Sequence, residues 1–184
     1  MTIRRKLSHG ELEDQRQRGL AERHSARHAL TAVVHNVRSA YNVGSMFRTA
    51  DAMWLRQIVL TGFTPCPPRP DVCKTALGAT ETVPWHYRAD ACEAIAALRA
   101  EGITVVALEL TTDAVPLDEL VVTGPIAIVV GNEISGIDAA VLAACDGAVQ
   151  IPMYGVKHSL NVAVAAGIAF HHIVQRLRCV DSQL

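Results

Sequence analysis

The 184-residue chain has no apolar run that approaches the roughly 18 residues needed to cross a membrane as a helix. Its first residues are charged, and the apolar segment of a signal peptide does not follow them. From these two absences we expect a cytoplasmic protein without a membrane partner. Half of the residues are hydrophobic, so a chain of this length can bury one substantial core.

Paired cysteines are missing as well. The cysteines are odd in number and widely spread, and no two of them form a Cys-x-x-Cys pair: Cys66, Cys73, Cys92, Cys145 and Cys179. This distribution argues against a disulfide framework and against a structural zinc site. We therefore expect reduced thiols and no bound metal.

Three common enzyme motifs are also absent. The chain has no Gly-x-Gly-x-x-Gly after its first apolar run, no Gly-x-x-x-x-Gly-Lys-Ser/Thr and no Gly-x-Ser-x-Gly. A dinucleotide-dependent oxidoreductase, a P-loop nucleoside triphosphatase and an α/β-hydrolase are therefore poorly supported.

Charge is unevenly distributed, although the net charge is only −1. Residues 1–74 hold 12 Lys or Arg against 6 Asp or Glu, whereas residues 75–184 hold 5 against 12. A basic half is typical of a surface that faces phosphate groups, although two mutually attracting surfaces would give the same distribution. The candidate phosphate contacts from this half are Arg4, Arg5, Lys6, Arg16, Arg18, Arg69 and Lys74.

Apolar runs alternate with helical patterns along most of the chain. The runs predict five strands, at 30–36, 57–60, 103–108, 125–130 and 148–151. Such near-continuous apolar strands predict an α/β domain with a parallel sheet covered by helices on both faces. We expect residues 1–29 to form a basic N-terminal helical arm, residues 30–184 to form the domain, and the proline-rich residues 62–78 to be an irregular loop.

Two helices carry the most informative patterns. In the helix predicted to follow Asn42 as its N-cap, an apolar stripe faces the core while Arg48 points away from it. In the last helix, predicted to follow Ser159 as its N-cap, nearly every position from Leu160 to Phe170 is apolar or small. That composition predicts a helix buried on all sides.

Polar segments follow three of the predicted strands, at 36–42, 131–136 and 152–159. Ligands of parallel α/β sheets bind at the carboxyl ends of the strands, so we expect these segments to converge on one site. The simplest alternative is a set of turns and caps, with a proline turn before a core helix.

The three segments contain motifs at suitable spacing. They read Asn36-x-Arg38-Ser39-x-x-Asn42-x-Gly44-x-x-x-Arg48-Thr49, Gly131-Asn132-Glu133-x-x-Gly136, and Ile151-Pro152-Met153-x-Gly155 leading into Ser159-Leu160-Asn161-Val162. In this order they resemble the SpoU, or TrmH-like, branch of the SPOUT RNA methyltransferases. The resemblance covers roughly residues 30–178, and three ordered motifs are far more specific than any one alone.

The resemblance implies an enzyme that transfers a methyl group from S-adenosylmethionine to a ribose 2′-hydroxyl of tRNA or rRNA. It further implies a C-terminal trefoil knot and a homodimer whose active site uses both subunits. Only about 30 residues precede the first predicted strand, so we expect no accessory RNA-binding domain of the kind found in many rRNA-modifying relatives. The alternative is a non-catalytic RNA-binding or ribosome assembly factor on the same scaffold.

The resemblance also assigns roles by position. The implied cofactor contacts are Leu108, Gly131, Ile151, Met153 and Leu160. The implied catalytic cluster is Asn42, Arg48, Glu133, Ser159 and Asn161. The expected RNA contacts are Arg38, Arg69 and Lys74, and no metal is expected.

Arg48 has two opposed interpretations. On the helical pattern alone it is a solvated surface arginine, whereas the resemblance makes it the residue that activates the ribose hydroxyl. A guanidinium is almost never deprotonated in a protein, so stabilisation of a developing oxyanion is preferred, with a phosphate or water taking the proton. Proton abstraction by Arg48 is the alternative.

Overall fold

The computed structural model describes residues 5–22 and 26–181; residues 1–4, 23–25 and 182–184, and with them Arg4, lie outside the described parts. The N-terminal helix α1 spans His9–Glu22. Ser8 and Glu11 cap it reciprocally, and the Arg5 guanidinium lies 2.6 Å from the Glu11 carboxylate. Strand β1 begins at His28, just before the end of the predicted N-terminal arm at residue 29.

In the part of the chain that the structure describes, seven parallel strands form a single sheet in the order β3-β2-β1-β6-β4-β7-β5. The strands are β1 His28–His35, β2 Leu55–Thr61, β3 Trp85–Arg88, β4 Thr104–Leu108, β5 Val115–Pro116, β6 Ile126–Val130 and β7 Gly147–Gln150. The predicted parallel sheet is confirmed, and the five predicted strands are all present within a few residues. Strands β3 and β5 were not predicted.

Helices cover both faces of the sheet, as predicted. Beyond α1 they are α2 Ala40–Ala52, α3 Pro70–Ala76, α4 Ala79–Thr82, α5 Ala91–Ala100, α6 Ala139–Ala144 and α7 Val162–Asp181, with a 3-10 helix at Leu117–Glu119. The alternating side chains of β1 divide between two cores. Ala32 and Val34 join the core under α2 and α7, while Val33 joins the core under α5 and α6.

The predicted irregular loop at 62–78 is wrong in its second half, because residues 70–76 form α3. Pro70 stands at the start of α3, where its missing N–H has no intrahelical partner to lose. Leu77 and Gly78, both with positive φ, then end the helix.

Both predicted N-caps are wrong. Helix α2 is capped by Ser39, whose Oγ accepts a hydrogen bond from Asn42 N at 3.3 Å. Helix α7 begins at Val162, and the Oδ1 of Asn161, not Ser159, accepts from the first free amides of the helix at 3.0 and 3.3 Å. The side chains of Asn42 and Ser159 are thereby left for other contacts.

The single chain buries the last helix on one side only, and its predicted burial on all sides would require a second subunit. One side of α7 is in the core, where Phe170 is fully buried. The other side leaves Val164 52% and Ile168 42% exposed, with Leu160 just before the helix 37% exposed. Within the described residues, no helix has the length and apolar character needed to span a bilayer.

Helix α2 has the predicted orientation. Its apolar stripe, which includes Val43 and Phe47, is buried and Arg48 is exposed. Gly44 lies where α3 approaches most closely: a Cβ there would overlap Thr75 Oγ1 and the Val72 carbonyl oxygen. Gly44 is therefore required by packing between the two helices.

Replacing Gly44 tests this close approach. Alanine is normally better than glycine inside a helix by about 1 kcal/mol. Because its Cβ would meet backbone, we expect Gly44→Ala to destabilise the protein by about 2 kcal/mol or more. The matched control is Gly124→Ala, whose Cβ would have no atom within 4 Å. Urea unfolding that shows both variants within about 0.5 kcal/mol of wild type would contradict the prediction.

Candidate active site

Three loops at the carboxyl edge of the sheet meet in one place. Residues 36–39 follow β1, residues 131–137 follow β6, and residues 151–161 follow β7. The first two are joined directly, because Asn132 Nδ2 donates to the Asn36 carbonyl oxygen at 2.8 Å. Asn132 Oδ1 meanwhile accepts from Ile134 N and Ser135 N, so one side chain shapes its own loop and fastens it to the next.

The Glu133 carboxylate is the main junction between these loops. It accepts hydrogen bonds from Arg38 N at 2.9 Å, Ser39 N at 3.1 Å and Asn42 Nδ2 at 2.8 Å. These donors lie at the N-terminus of α2, where the helix dipole favours an anion. Partial burial works to raise the pKa of Glu133, but the hydrogen bonds, led by that from Arg38 N, outweigh it, and the pKa is lowered.

A chain of hydrogen bonds continues from Glu133 to α7. Asn42 donates to Glu133, and its Oδ1 accepts from Asn161 Nδ2 at 3.2 Å. The Oδ1 of Asn161 in turn accepts from the amides at the start of α7. Each asparagine thus uses both ends of its amide, and the chain links all three loops.

A cavity of about 210 Å³ opens beside this chain. Its walls include all the side chains and the glycine expected to contact the cofactor, namely Leu108, Gly131, Ile151, Met153 and Leu160. Glu133 and Ser159 also line it. The cavity therefore combines apolar surface with polar groups at one rim, as ligand sites commonly do.

Glu109 is a wall residue that sequence reasoning missed. Its Oε2 accepts from Ile137 N at 3.0 Å and its Oε1 from Leu110 N at 2.9 Å, so it holds the end of the 131–137 loop against the end of β4. Gly131 is confined by the same turn, since a Cβ there would lie 2.6 Å from Gly136 C. The sequence feature that could have identified Glu109 is its position directly after the apolar strand β4.

Arg48 is the expected catalytic residue that the structure does not bring to this group. It is exposed on α2, does not line this cavity, and makes no hydrogen bond or ion pair with the described residues. It follows Asn42 by six positions, which is about 9 Å along a helix. Ser159, by contrast, is exposed at the wall of the cavity.

A second cavity, of about 460 Å³, adjoins the first and shares Glu133 with it. Two of the three expected RNA contacts, Arg38 and Arg69, line it together with Tyr41 and Asn42. Lys74 lies elsewhere, exposed on α3. Within residues 5–22 and 26–181, no group of three or more His, Cys, Asp or Glu side chains is placed to hold a metal ion.

A fully parallel sheet with a cavity built by loops at its carboxyl edge defines the class of α/β proteins that bind ligands at that edge. Sequence comparison identifies the family within this class. The chain belongs to the SpoU rRNA Methylase family, whose profile matches residues 29–171.

Curated relatives include RNA methyltransferases of two kinds. The 23S rRNA (guanosine-2'-O-)-methyltransferase RlmB of Coxiella burnetii is 33% identical over 150 residues, which are 82% of this chain and 59% of that protein. The tRNA (guanosine(18)-2'-O)-methyltransferase of Thermus thermophilus is 35% identical over 150 residues, 81% of this chain and 76% of that protein. The chain thus spans less than two thirds of the Coxiella relative.

A solved structure shows the same fold. It is the SpoU methyltransferase AviRb from Streptomyces viridochromogenes in complex with the cofactor AdoMet, with a TM-score of 0.74 and 26% identity. The match covers 83% of this chain and 59% of that chain.

The stabilising effect of the Glu133 carboxylate gives a pH-dependent prediction. Its folded pKa is lowered, so the ionised form stabilises the fold above the unfolded pKa of roughly 4.3 and loses that effect as the pH falls through the folded pKa. Because the carboxylate is only partly buried and solvent weakens its hydrogen bonds, we expect Glu133→Gln to cost no more than on the order of 1 kcal/mol at pH 7, or about 2–4 °C in Tm.

The difference in Tm between wild type and Glu133→Gln should narrow as the pH falls below about 4.3. Glu119→Gln removes another exposed carboxylate, outside both cavities, and is the control. A Glu133→Gln deficit that stays constant from pH 7 to acid would show that the charge of the carboxylate is not what holds the loops.

Proposed function

We propose that the protein transfers a methyl group from S-adenosylmethionine to a ribose 2′-hydroxyl of RNA. The observation that carries this proposal is the hydrogen-bonded chain of Glu133, Asn42 and Asn161 at the rim of a cavity lined by every expected cofactor contact. The names of the relatives support the reaction, and both rRNA and tRNA occur among their substrates.

The first cavity suits the proposed cofactor. Leu108, Ile151 and Leu160 offer apolar surface for a purine ring, and the loops at 131–133 and 151–153 offer main-chain polar groups. When bound, S-adenosylmethionine supplies an electrophilic methyl group on a sulfonium. The AdoMet complex of AviRb supports this assignment.

The polar chain is proposed to orient the ribose. Asn42 and Asn161 hold each other and Glu133 in one arrangement, so the reacting hydroxyl meets preorganised groups. Ser159, at the wall of the cavity, is proposed to take part in the same alignment. The ionised Glu133 also places negative charge at the wall of the first cavity, which would favour binding of a cationic sulfonium.

Arg48 is proposed to stabilise the charge that develops on the ribose oxygen, with proton abstraction as the alternative role. In the single chain it stands apart from the polar chain, so the proposal requires a second subunit to complete the site. Helix α7 supports that requirement. Val164 and Ile168 form an exposed apolar strip on α7. Thr49 of α2, the residue after Arg48, lies close to Gly167 of α7.

We further propose that two copies bury this strip against each other, and that the chain forms a trefoil knot in which the 131–137 loop and the 151–161 segment enclose the cofactor. Both segments line the first cavity, which supports the second point. The proposed methyltransferase domain is residues 30–184. Residues 1–29 are proposed to contribute basic side chains that contact RNA.

The direct test uses labelled S-adenosylmethionine and total RNA from cells with and without the gene. We expect transfer to RNA from the deleted strain, at one or a few ribose 2′-hydroxyls located by mapping. A purified protein that binds this RNA and transfers no methyl group would instead identify a non-catalytic RNA-binding factor.

Removal of Arg48 separates its two interpretations. A surface Arg→Ala change normally alters stability by less than about 0.5 kcal/mol and leaves turnover intact. If Arg48 stabilises the developing charge, Arg48→Ala should lower single-turnover methylation on the order of 10²-fold while cofactor binding persists. Arg48→Lys should restore little, because an ammonium lacks the planar fork of donors. A rate within about threefold of wild type would show that Arg48 is a solvated surface residue with no part in catalysis.

Association through α7 has its own test. Ile168→Glu places a charge in the exposed apolar strip, so we expect sedimentation to change from a dimer to a monomer. The variant should lose methylation because the Arg48 of a second copy is no longer supplied. Val121→Glu, which alters an apolar side chain that is 78% exposed outside α7, is the control. A wild-type monomer with full activity would contradict the proposal.

A further inference from the structure

We infer that the second cavity receives the nucleobase of the methylated nucleotide, stacked on Tyr41, so that the acceptor must be an unpaired nucleotide turned out of its helix. This inference rests on the proposed function and adds the class of RNA site to it. Three observations carry it: the placement of Tyr41, the connection between the two cavities, and the position of Arg38 at the second.

Tyr41 is one of the few aromatic residues of this chain, and its side chain is exposed to solvent. The protein has only three Tyr, three Phe and two Trp. Phe47, on the same helix, is fully buried, whereas Tyr41 is 52% exposed and its hydroxyl has no hydrogen-bond partner among the described residues. An exposed ring at the wall of a cavity is suited to stack on a planar ligand.

The backbone of Tyr41 is firmly held. Its carbonyl oxygen accepts hydrogen bonds from Ser45 Oγ at 2.8 Å and from Thr75 Oγ1 at 3.2 Å. Tyr41 also lies in the first turn of α2, which packs tightly on α3 at Gly44. A ring on such a support loses little conformational entropy when a base stacks on it.

The second cavity adjoins the position proposed for the ribose. Asn42 and Glu133, which are proposed to align the ribose, also line the cavity that contains Tyr41. A nucleoside whose ribose contacts Asn42 therefore has its base close to the ring of the preceding residue. A base that remains paired inside a duplex cannot enter such a cavity.

The second cavity is lined by two arginines and two carboxylates, so its charge is balanced overall and only one side chain, Arg38, is suited to contact a phosphate beside this nucleotide. Arg38 and Arg69 both line it, and the side chain of Arg38 forms no ion pair with a described residue. Asp71 lies 3.6 Å from Arg69 and offsets part of its charge. Arg38 is therefore the stronger candidate for a phosphate contact.

The test is a cycle of two changes, one in the protein and one in the RNA. The RNA is a synthetic copy of the mapped target, with either the natural acceptor nucleotide or an abasic ribose that keeps the 2′-hydroxyl. We expect Tyr41→Ala to lower kcat/KM about tenfold on the natural RNA, mostly through KM, with cofactor binding unchanged. On the abasic RNA the same variant should lose almost nothing, because the base that Tyr41 contacts is already gone.

Three further measurements complete the test. Tyr41→Phe should recover most of the loss, since stacking needs the ring and not the hydroxyl. Tyr87→Ala removes another tyrosine, 48% exposed and outside the cavity, and should behave as wild type on both RNAs. RNA annealed so that the acceptor is paired should be a poor substrate.

The outcomes separate this inference from the proposed function. Suppose that wild type methylates the target, and that Tyr41→Ala lowers kcat/KM by the same factor on the abasic RNA as on the natural RNA. The base then does not stack on Tyr41, and the inference is overturned. Equal methylation of paired and unpaired acceptors overturns it as well. If wild type methylates no RNA, the proposed function fails first, and the inference fails with it.

Discussion

The ionised carboxylate of Glu133, held by donors from the start of α2, is the interaction on which the site depends. The loop after β6 supplies the acceptor, and the loop after β1 supplies two main-chain amides and the amide of Asn42. Neighbouring strands of one sheet bring these loops to the same edge, but the sheet alone does not set their mutual position. The carboxylate does so, and the helix dipole favours the charge at this point.

The asparagines beside Glu133 follow from the same constraint. Asn42 has to donate to a carboxylate and also accept from Asn161, and an amide does both. An aspartate at position 42 would place two carboxylates within hydrogen-bond distance and would offer no donor. Asn161 faces a similar demand, because it donates to Asn42 while its oxygen accepts from the amides of α7. The residue types in this chain are thus explained by donor and acceptor balance, whatever the reaction.

The strands of the central sheet were predictable because their apolar runs have few alternatives. The N-caps of α2 and α7 were not predictable, because Ser and Asn are almost equally good N-caps and both occur within three positions of each other at the start of each helix. At α2 the side chain of Asn42 is used by Glu133 and Ser39 caps the helix, which local propensity does not show. Strand β3, whose four side chains are either partly buried or exposed, has no apolar run to mark it.

The convergence of the three motif segments was predictable from the sequence, and only Arg48 stands apart from the others, for a physical reason. The expected cofactor contacts line one cavity, and Glu133, Asn42 and Asn161 are hydrogen-bonded to one another. Pattern reasoning could also state that Arg48 avoids the core, which the structure confirms. What a single sequence does not show is which exposed residues gain their partners from another molecule.

Arg48 and helix α7 raise that question together. An all-apolar helix predicts burial on all sides, yet Val164 and Ile168 are half exposed in the single chain. Exposed apolar residues in line along one helix cost free energy until they are covered, so this face favours association. Thr49, the neighbour of Arg48 on α2, lies against α7 at Gly167, so α2 and the exposed strip of α7 belong to adjacent parts of the surface. The second copy proposed above would answer both observations at once, because it would cover the exposed face of α7 and could supply the partners that Arg48 lacks in the single chain.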